Sequence, residues 1–255
     1  MSNEIKKEEK FAEGFCFYKL FLIFIIGCIF GVIYEELILN IFRFLINGSF
    51  HIETRRGLLY GPFSPVYGFG AVIMALFAKT EKPVFKTFLY TSLAGGIVEY
   101  LISFLQETFT NSVSWDYSQK LLNINGRTTI IFMMFWGLLG VIFVYIIYPF
   151  LSNSIEKIPK DIGNKVMPFI VILMCLNMFI SFSAVIRQNF RRNDVKPFTH
   201  YGKFLDKYYD DERLKKTYNN MILNKEVKIK YACNICNKYC SYFNWNYIIF
   251  IIFYI

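Results

Sequence analysis

The chain has 255 residues, of which 55% are hydrophobic and 20% aromatic, and it carries a formal net charge of +9. A soluble domain of this size has too little interior to bury so many large apolar side chains. The composition therefore argues against an ordinary soluble enzyme and predicts an all-α, polytopic helical membrane protein.

Apolar segments long enough to cross a hydrocarbon core of about 30 Å recur along the chain. They predict about five transmembrane helices, at residues 17–39, 62–78, 84–105, 128–150 and 167–187. The second segment is short and begins with Pro62 and Pro65, which predicts an irregular or re-entrant entry that protein must cover. We expect no secretory signal at the N-terminus, because the first span contains Glu35 and Glu36 and further spans follow it.

We expect four segments in the whole chain. Residues 1–15 form a charged tail, residues 16–187 a transmembrane domain, residues 188–230 a polar C-terminal segment, and residues 231–255 an extension rich in Cys, Tyr and Ile. The polar segment is too small for an independent core. The apolar run at the end of the extension is too short to span a bilayer, so an interfacial anchor and a poorly specified extension are both open.

The positive charges lie mostly in loops and in the C-terminal tail, as is usual for membrane proteins. They indicate contact with a membrane surface and not with nucleic acid. Counted over the loops, Lys and Arg slightly favour a cytoplasmic N-terminus, whereas the basic tail favours the opposite orientation.

Two glutamates lie inside predicted spans, where an ionisable side chain costs several kcal/mol unless it faces protein or water. Gly27 and Gly31 precede Glu35 at four-residue spacing, and Gly95 precedes Glu99 in the same way. This spacing places each set on one face of a helix. Small residues four apart also allow helices to pack closely in lipid. Both glutamates are therefore candidate functional residues.

The two glutamate segments also suggest an internal repeat. Gly31-Val-Ile-Tyr-Glu35 is followed by Arg-Gly and then Tyr67-Gly68, and Gly95-Gly-Ile-Val-Glu99 is followed by Gly-Arg and then Trp136-Gly137. Spans 1–2 and 3–4 would then be parallel copies of one unit. The alternative is a chance match, because the shared pattern is short.

Five alternating spans would place loops 40–61 and 106–127 on the same membrane face, near the helix ends that carry the two glutamates. Polar and aromatic residues of these segments are therefore expected to gather near the two glutamates, Arg55 and Glu107 among them. The predicted site is composed of Glu35, Arg56, Tyr67, Glu99, Trp115, Asp116, Tyr117, Asn123 and Arg127.

This site has several interpretations. Its Glu–Arg pairs could brace loops against helices without binding anything, or its carboxylates could bind a charged substrate or relay protons. A third interpretation is a membrane enzyme in which a glutamate is the general base. Trp115 and Tyr117 are also typical of the aromatic belt at a membrane interface.

Several enzyme motifs are absent from the sequence. There is no G-x-x-x-x-G-K-[ST] loop, no H-E-x-x-H and no G-x-S-x-G, so we expect no ATP hydrolysis by this chain, no catalytic residue and no cofactor. Cys233, Cys236 and Cys240 have CxxC spacing but lack a fourth ligand nearby, since His51 and His200 are distant in sequence. We therefore expect no metal site.

Two stretches resemble a known bacterial family. They are R-G-L-L-Y-G-P-F-S-P-V-Y-G-F-G-A at 56–71 and W-D-Y-S at 115–118 with N-I-N-G-R at 123–127, supported by Gly31-xxx-Glu35, Glu99-Tyr100, Trp136-Gly137 and Tyr218-Asn-Asn-Met221. The family is that of putative ABC-transporter type IV (CmpB-type) membrane proteins, and the resemblance covers residues 16–222.

The resemblance implies a permease-like component of the bacterial cytoplasmic membrane, with its ATPase subunit on a separate chain. The coupling loop typical of ABC importers is not evident in this sequence. A non-transporting accessory or scaffold protein is the alternative.

Overall fold

The structure is a computed structural model that describes residues 10–48, 55–80 and 82–223. The extension predicted at 231–255, with its CxxC cysteines, lies outside these residues, as does most of the charged N-terminal tail. The elements, in chain order, are α1 (Phe17–Asn47), α2 (Pro65–Ala78), α3 (Val84–Thr110), β1 (Ser112–Val113), β2 (Asn123–Ile124), β3 (Thr128–Thr129), α4 (Ile130–Ile142), a π-helical turn (Phe143–Ile147), α5 (Tyr148–Glu156), α6 (Lys160–Arg192), α7 (His200–Tyr208), α8 (Asp211–Thr217) and β4 (Ile222–Leu223).

Four helical segments are long and apolar enough to cross a membrane: Phe17–Ile38, Val84–Thr110, Ile130–Glu156 and Lys160–Arg192. This confirms the predicted class of helical membrane protein. The remaining predicted span is α2, an apolar helix of 14 residues. At 1.5 Å per residue it is about 21 Å long, which is shorter than a hydrocarbon core of about 30 Å. The count of five spans therefore stays a prediction.

Residues 55–64 form an irregular segment that leads into α2. Its turn is closed by the Gly57 amide, which donates to the Phe63 carbonyl at 2.8 Å, and the Ser64 amide donates to the Cys28 carbonyl of α1 at 3.1 Å. Pro65 follows in the first turn of α2, where its missing amide hydrogen costs no helical hydrogen bond.

The third long span changes its helical pitch near the middle. The Tyr148 amide donates to the Phe143 carbonyl, a π-helical hydrogen bond, and Pro149 follows directly. Since a proline inside a helix cannot donate and crowds the preceding turn, the wider turn of Phe143–Ile147 accommodates it.

The helices pair through their glycines. A side chain at Gly31 would lie 2.2 Å from the ring of Tyr67, and one at Gly95 would lie 2.4 Å from Cγ of Trp136. α1 therefore packs on α2, and α3 on α4, in an equivalent manner, and the rings of Tyr67 and Trp136 meet with centroids 5.6 Å apart. The repeat itself stays a prediction, which these equivalent contacts support.

One end of the bundle, which we call the capped end, collects both long loops and the C-terminal segment. β1 pairs with β4 in antiparallel fashion, with Val113 opposite Ile222, and β2 pairs with β3. Leu59 and Ala184 pack in one buried cluster with residues of α7, α8 and the turns after them, which are Leu205, Tyr209, Leu214 and Tyr218. The C-terminal segment therefore lies over the ends of α3 and α6.

The opposite end carries a buried lysine. Lys19 is 1% exposed, and its ammonium group donates to Ser152 at 2.8 Å and pairs with Glu156. The ion pair joins the start of α1 to the end of α5, so the first and third long spans are tied at this end.

Candidate functional site

A chamber of about 860 Å³ lies at the capped end, between the helices and the segments that cover them. This volume is within the usual range for ligand pockets, about 300–1,000 Å³. The polar residues that line the chamber come from α1, α2, α3, the loops and the C-terminal segment. They include Glu35, Arg55, Arg56, Tyr67, Glu99, Trp115, Tyr117, Tyr218 and Asn220. Apolar side chains of α4 and α6 form much of the remaining wall.

Glu99 is held in this chamber by hydroxyl groups. Its side chain is buried, with the residue 7% exposed. One carboxyl oxygen accepts a hydrogen bond from the Tyr117 hydroxyl at 3.0 Å, and the other accepts from the Thr128 hydroxyl at 2.6 Å. Hydroxyl donors orient a carboxylate without neutralising its charge.

Glu35 has an equivalent partner on α2. The Tyr67 hydroxyl donates to its Oε1 at 2.9 Å. The Tyr67 ring lies over Gly31, one turn before Glu35, where any side chain would collide with it. The Gly-xxx-Glu spacing is thereby explained in physical terms, because the glycine makes room for the ring whose hydroxyl reaches the glutamate.

Arg55 and Arg56 face the same chamber as the two glutamates. Arg55 lies close enough to Glu35 for an electrostatic interaction, but no ion pair joins them. Within residues 10–48, 55–80 and 82–223, neither arginine donates a hydrogen bond or forms an ion pair, and Nε of Arg55 is buried without a partner. Arg55, like Arg56, belongs to the polar residues that the sequence predicts near the two glutamates.

Arg127 lies elsewhere. It pairs with Glu107 of α3, and its guanidinium lies 5.4 Å from the ring centroid of Tyr100. Its backbone carbonyl accepts a hydrogen bond from Nε1 of Trp115 at 2.8 Å. The structure therefore does not pair Arg127 with Glu99, and this part of the predicted set ties the loop to the end of α3.

Asp116 and Asn123 shape the loop between α3 and α4. An oxygen of Asp116 accepts from the Ser118 amide at 3.0 Å, and the side-chain oxygen of Asn123 accepts from the Gly126 amide at 2.9 Å. Gly126 has φ of +69°, a conformation that favours glycine. These contacts hold the loop so that Tyr117 enters the chamber, while neither Asp116 nor Asn123 is among the chamber's lining residues.

The loop residues nearest Glu99 have shifted acidities. Burial raises the pKa of the Tyr117 hydroxyl well above its usual value, and the nearby Glu99 carboxylate adds to the rise. Burial lowers the pKa of Lys120, an effect that Glu99 opposes. Tyr117 therefore remains a protonated donor over the physiological pH range. Its ring stacks on Phe132 with centroids 4.6 Å apart, which fixes the direction of the hydroxyl.

The described part of the chain contains no group of three or more His, Cys, Asp or Glu side chains that could hold a metal ion. The chemistry available in the chamber is therefore that of two carboxylates, two guanidinium groups and several hydroxyl donors. Such a set can bind charged groups of either sign.

Comparison with known protein families gives a match. The family described as "Putative ABC-transporter type IV" matches residues 22–182, which is more than half of the chain and includes both glutamates and both arginines of the chamber. Residues 218–221, part of the predicted resemblance, lie beyond the matched range. No curated protein and no solved structure matches the chain.

Proposed function

We propose, since the chain belongs to the putative ABC-transporter type IV family, that it is the permease-like membrane component of a transport system. In this proposal the chamber at the capped end is the substrate site. Glu35, Glu99, Arg55 and Arg56 bind the substrate, and Tyr67 and Tyr117 hold the two carboxylates in place.

The observation that carries the proposal is the lack of direct pairing between these charges. A network that only braced the fold would join its carboxylates to its arginines, as Glu107 and Arg127 are joined in this protein. Glu35 and Glu99 instead accept from hydroxyl groups, and the guanidinium groups of Arg55 and Arg56 keep their donors available. Because unpaired charges at membrane depth are costly, their retention around one chamber supports a binding role.

Energy for transport would come from another chain. The sequence contains no phosphate-binding loop of the P-loop type, so ATP would be hydrolysed by a separate subunit. We further propose that the protein lies in the bacterial cytoplasmic membrane with its N-terminus in the cytoplasm. The capped end, where α1 finishes, would then face outward.

Two carboxylates of α3 provide a matched experiment. Glu99 faces the chamber, whereas Glu107 lies two turns later and pairs with Arg127. The full chain would be purified from membranes of its own host in a mild detergent, and ATP hydrolysis by the associated subunit would be measured for the wild type, Glu99→Gln and Glu107→Gln.

If the chain is a permease, ATP hydrolysis activity should co-purify with it in constant proportion. The rate of hydrolysis should change severalfold in Glu99→Gln and stay near the wild-type rate in Glu107→Gln. The proposal is contradicted if no ATP hydrolysis activity co-purifies with the chain. Equal rates in all three proteins also contradict it and favour the scaffold alternative.

A further inference from the structure

Acidic and basic side chains line the same chamber in equal number. Glu35 and Glu99 supply two carboxylates, and Arg55 and Arg56 supply two guanidinium groups. A ligand with a single charge would meet one attractive and one repulsive pair. A ligand that carries both an acidic group and an ammonium group meets a partner for each, and guanidinium groups are well suited to phosphate or carboxylate.

The chamber is covered towards the aqueous phase. Three segments that line it cross the capped end, at residues 55–64, 114–117 and 218–221. The side-chain amide of Asn220 donates to the Ser114 carbonyl at 3.2 Å, and the Leu59 amide donates to the Ser181 hydroxyl of α6 at 2.9 Å. Hydrogen bonds therefore join two of the covering segments to each other and the third to α6.

The side wall is different. Leu138 and Ile142 of α4, and Phe179 and Phe182 of α6, line the chamber and remain 40–61% exposed. α6 packs most closely against α3, α7 and α8. An apolar and partly exposed wall at membrane depth gives access to hydrocarbon chains rather than to water.

We propose that the chamber binds a zwitterionic amphiphile, which enters sideways from the bilayer between α4 and α6. Its acidic group binds Arg55 and Arg56, its ammonium group binds Glu35 and Glu99, and its hydrocarbon chain lies along the apolar wall. This inference rests on the proposed function, for which it supplies the class of substrate.

Native mass spectrometry of the detergent-purified full chain tests this inference. The probes are phosphatidylethanolamine, phosphatidylglycerol as an anionic lipid, a diacyl trimethylammonium-propane as a cationic lipid, and soluble glycerophosphoethanolamine. We expect phosphatidylethanolamine to bind about tenfold or more tightly than each of the other three, because each charged hydrogen bond and the buried chain add to its affinity.

Two variants locate the binding. Arg55→Gln with Arg56→Gln is expected to lower the affinity for phosphatidylethanolamine about tenfold, whereas Lys203→Gln with Lys207→Gln, at exposed positions of α7, is expected to leave it unchanged. Leu138→Trp enlarges a partly exposed wall residue, so it should fold normally while the larger side chain occupies the place of the hydrocarbon chain and lowers the lipid affinity.

If a singly charged lipid binds as tightly as phosphatidylethanolamine, the proposal that the ligand is a zwitterion is wrong. If soluble glycerophosphoethanolamine binds as tightly, the proposal that the ligand is an amphiphile is wrong. Unchanged lipid affinity in Leu138→Trp or in the arginine variant overturns the proposed site. None of these results depends on ATP hydrolysis, so the proposed function can stand when this inference fails.

Discussion

At the scale of single residues, the hydroxyl groups around the two glutamates are the central feature. Each glutamate is oriented by a tyrosine from a different part of the chain, Tyr67 from α2 and Tyr117 from the α3–α4 loop. A tyrosine supplies a donor that remains protonated and a ring that packs in an apolar wall. The two tyrosines thus orient the carboxyl groups, which remain available to a ligand.

Removing one of these hydroxyls should have a measurable cost. Tyr117→Phe deletes a donor to the buried Glu99 carboxylate, and hydrogen bonds to charged groups are worth about 1.5–3 kcal/mol. We therefore expect a lower melting temperature in detergent, measured by scanning fluorimetry. Tyr100→Phe is the control, because the Tyr100 hydroxyl accepts from the exposed side chain of Asn125 at 2.9 Å and not from a buried group. A Tyr117→Phe protein that melts like Tyr100→Phe would show that this hydrogen bond contributes nothing.

At the scale of elements, close helix packing and the capped end account for the position of the chamber. The glycines of α1 and α3 bring α2 and α4 against them, so that Tyr67 and Trp136 meet in the middle of the bundle. The C-terminal segment then closes the end through the β1–β4 pairing and the contacts of α7 with α6.

The packing at Gly95 can be tested by a substitution that adds one methyl group. Gly95→Ala would place Cβ 2.4 Å from Cγ of Trp136, and overpacking of this kind costs about 1–3 kcal/mol. We expect a clear loss of thermal stability. Gly202→Ala is the control, since its nearest neighbours lie at 3.2 Å. If Gly95→Ala were as stable as Gly202→Ala, the close α3–α4 contact would be disproved.

The attachment of α7 should depend on pH. Asp206 accepts from Arg187 at 2.8 and 2.9 Å and from Arg191 at 2.7 Å. These hydrogen bonds hold the pKa of the Asp206 carboxyl below its usual value. The carboxylate therefore stabilises α7 fully above the ordinary pKa of aspartate, and the stabilisation is lost as the pH falls from that value through the lowered one.

Hydrogen exchange of residues 200–217 as a function of pH measures this effect. After correction for the intrinsic exchange rate at each pH, we expect lower protection factors below about pH 4 in the wild type. In Asp206→Asn we expect low protection already at neutral pH, because the variant loses about 1–3 kcal/mol. Asp161→Asn, at an exposed position in the first turn of α6, should behave like the wild type. Exchange in Asp206→Asn that matches the wild type at neutral pH would rule out the role of this carboxylate.

At the scale of the whole molecule, four of the five predicted spans and the placement of the two glutamates were predictable, whereas the path of the loops was not. Apolar length predicts a span, and four-residue spacing predicts which side chains share a helical face. These two rules, together with the alternation of the spans, are sufficient to predict that Glu35 and Glu99 lie towards the same end of the bundle. The same rules say nothing about where a loop turns.

Arg127 illustrates the difference. Its place in the loop suggested a pairing with Glu99, but the turn at Gly126 and the β2–β3 pairing direct its side chain to Glu107. For Arg55, the sequence predicts a position near the glutamates, but the contacts of residues 55–64 with α1 and α6 determine how it reaches the chamber. Backbone conformation decides both positions, and sequence spacing does not encode it outside regular elements.

The most direct test of the whole account is the accessibility of the chamber during the ATP cycle. In a chain whose six cysteines are replaced by alanine, Ile102→Cys places a thiol in the chamber, and Leu101→Cys places one on the exposed apolar side of α3. A membrane-impermeant maleimide would be applied to membranes that contain the chain and its ATPase, without nucleotide and after trapping with ATP and vanadate.

A transport chamber that opens and closes predicts a change of about tenfold in the labelling rate of Ile102→Cys between the two states. Leu101→Cys should remain unlabelled in both states, because it faces lipid. An Ile102→Cys labelling rate that is the same with and without trapped nucleotide would contradict the account, since a chamber that does not change with the ATP cycle cannot be the substrate site of a transporter.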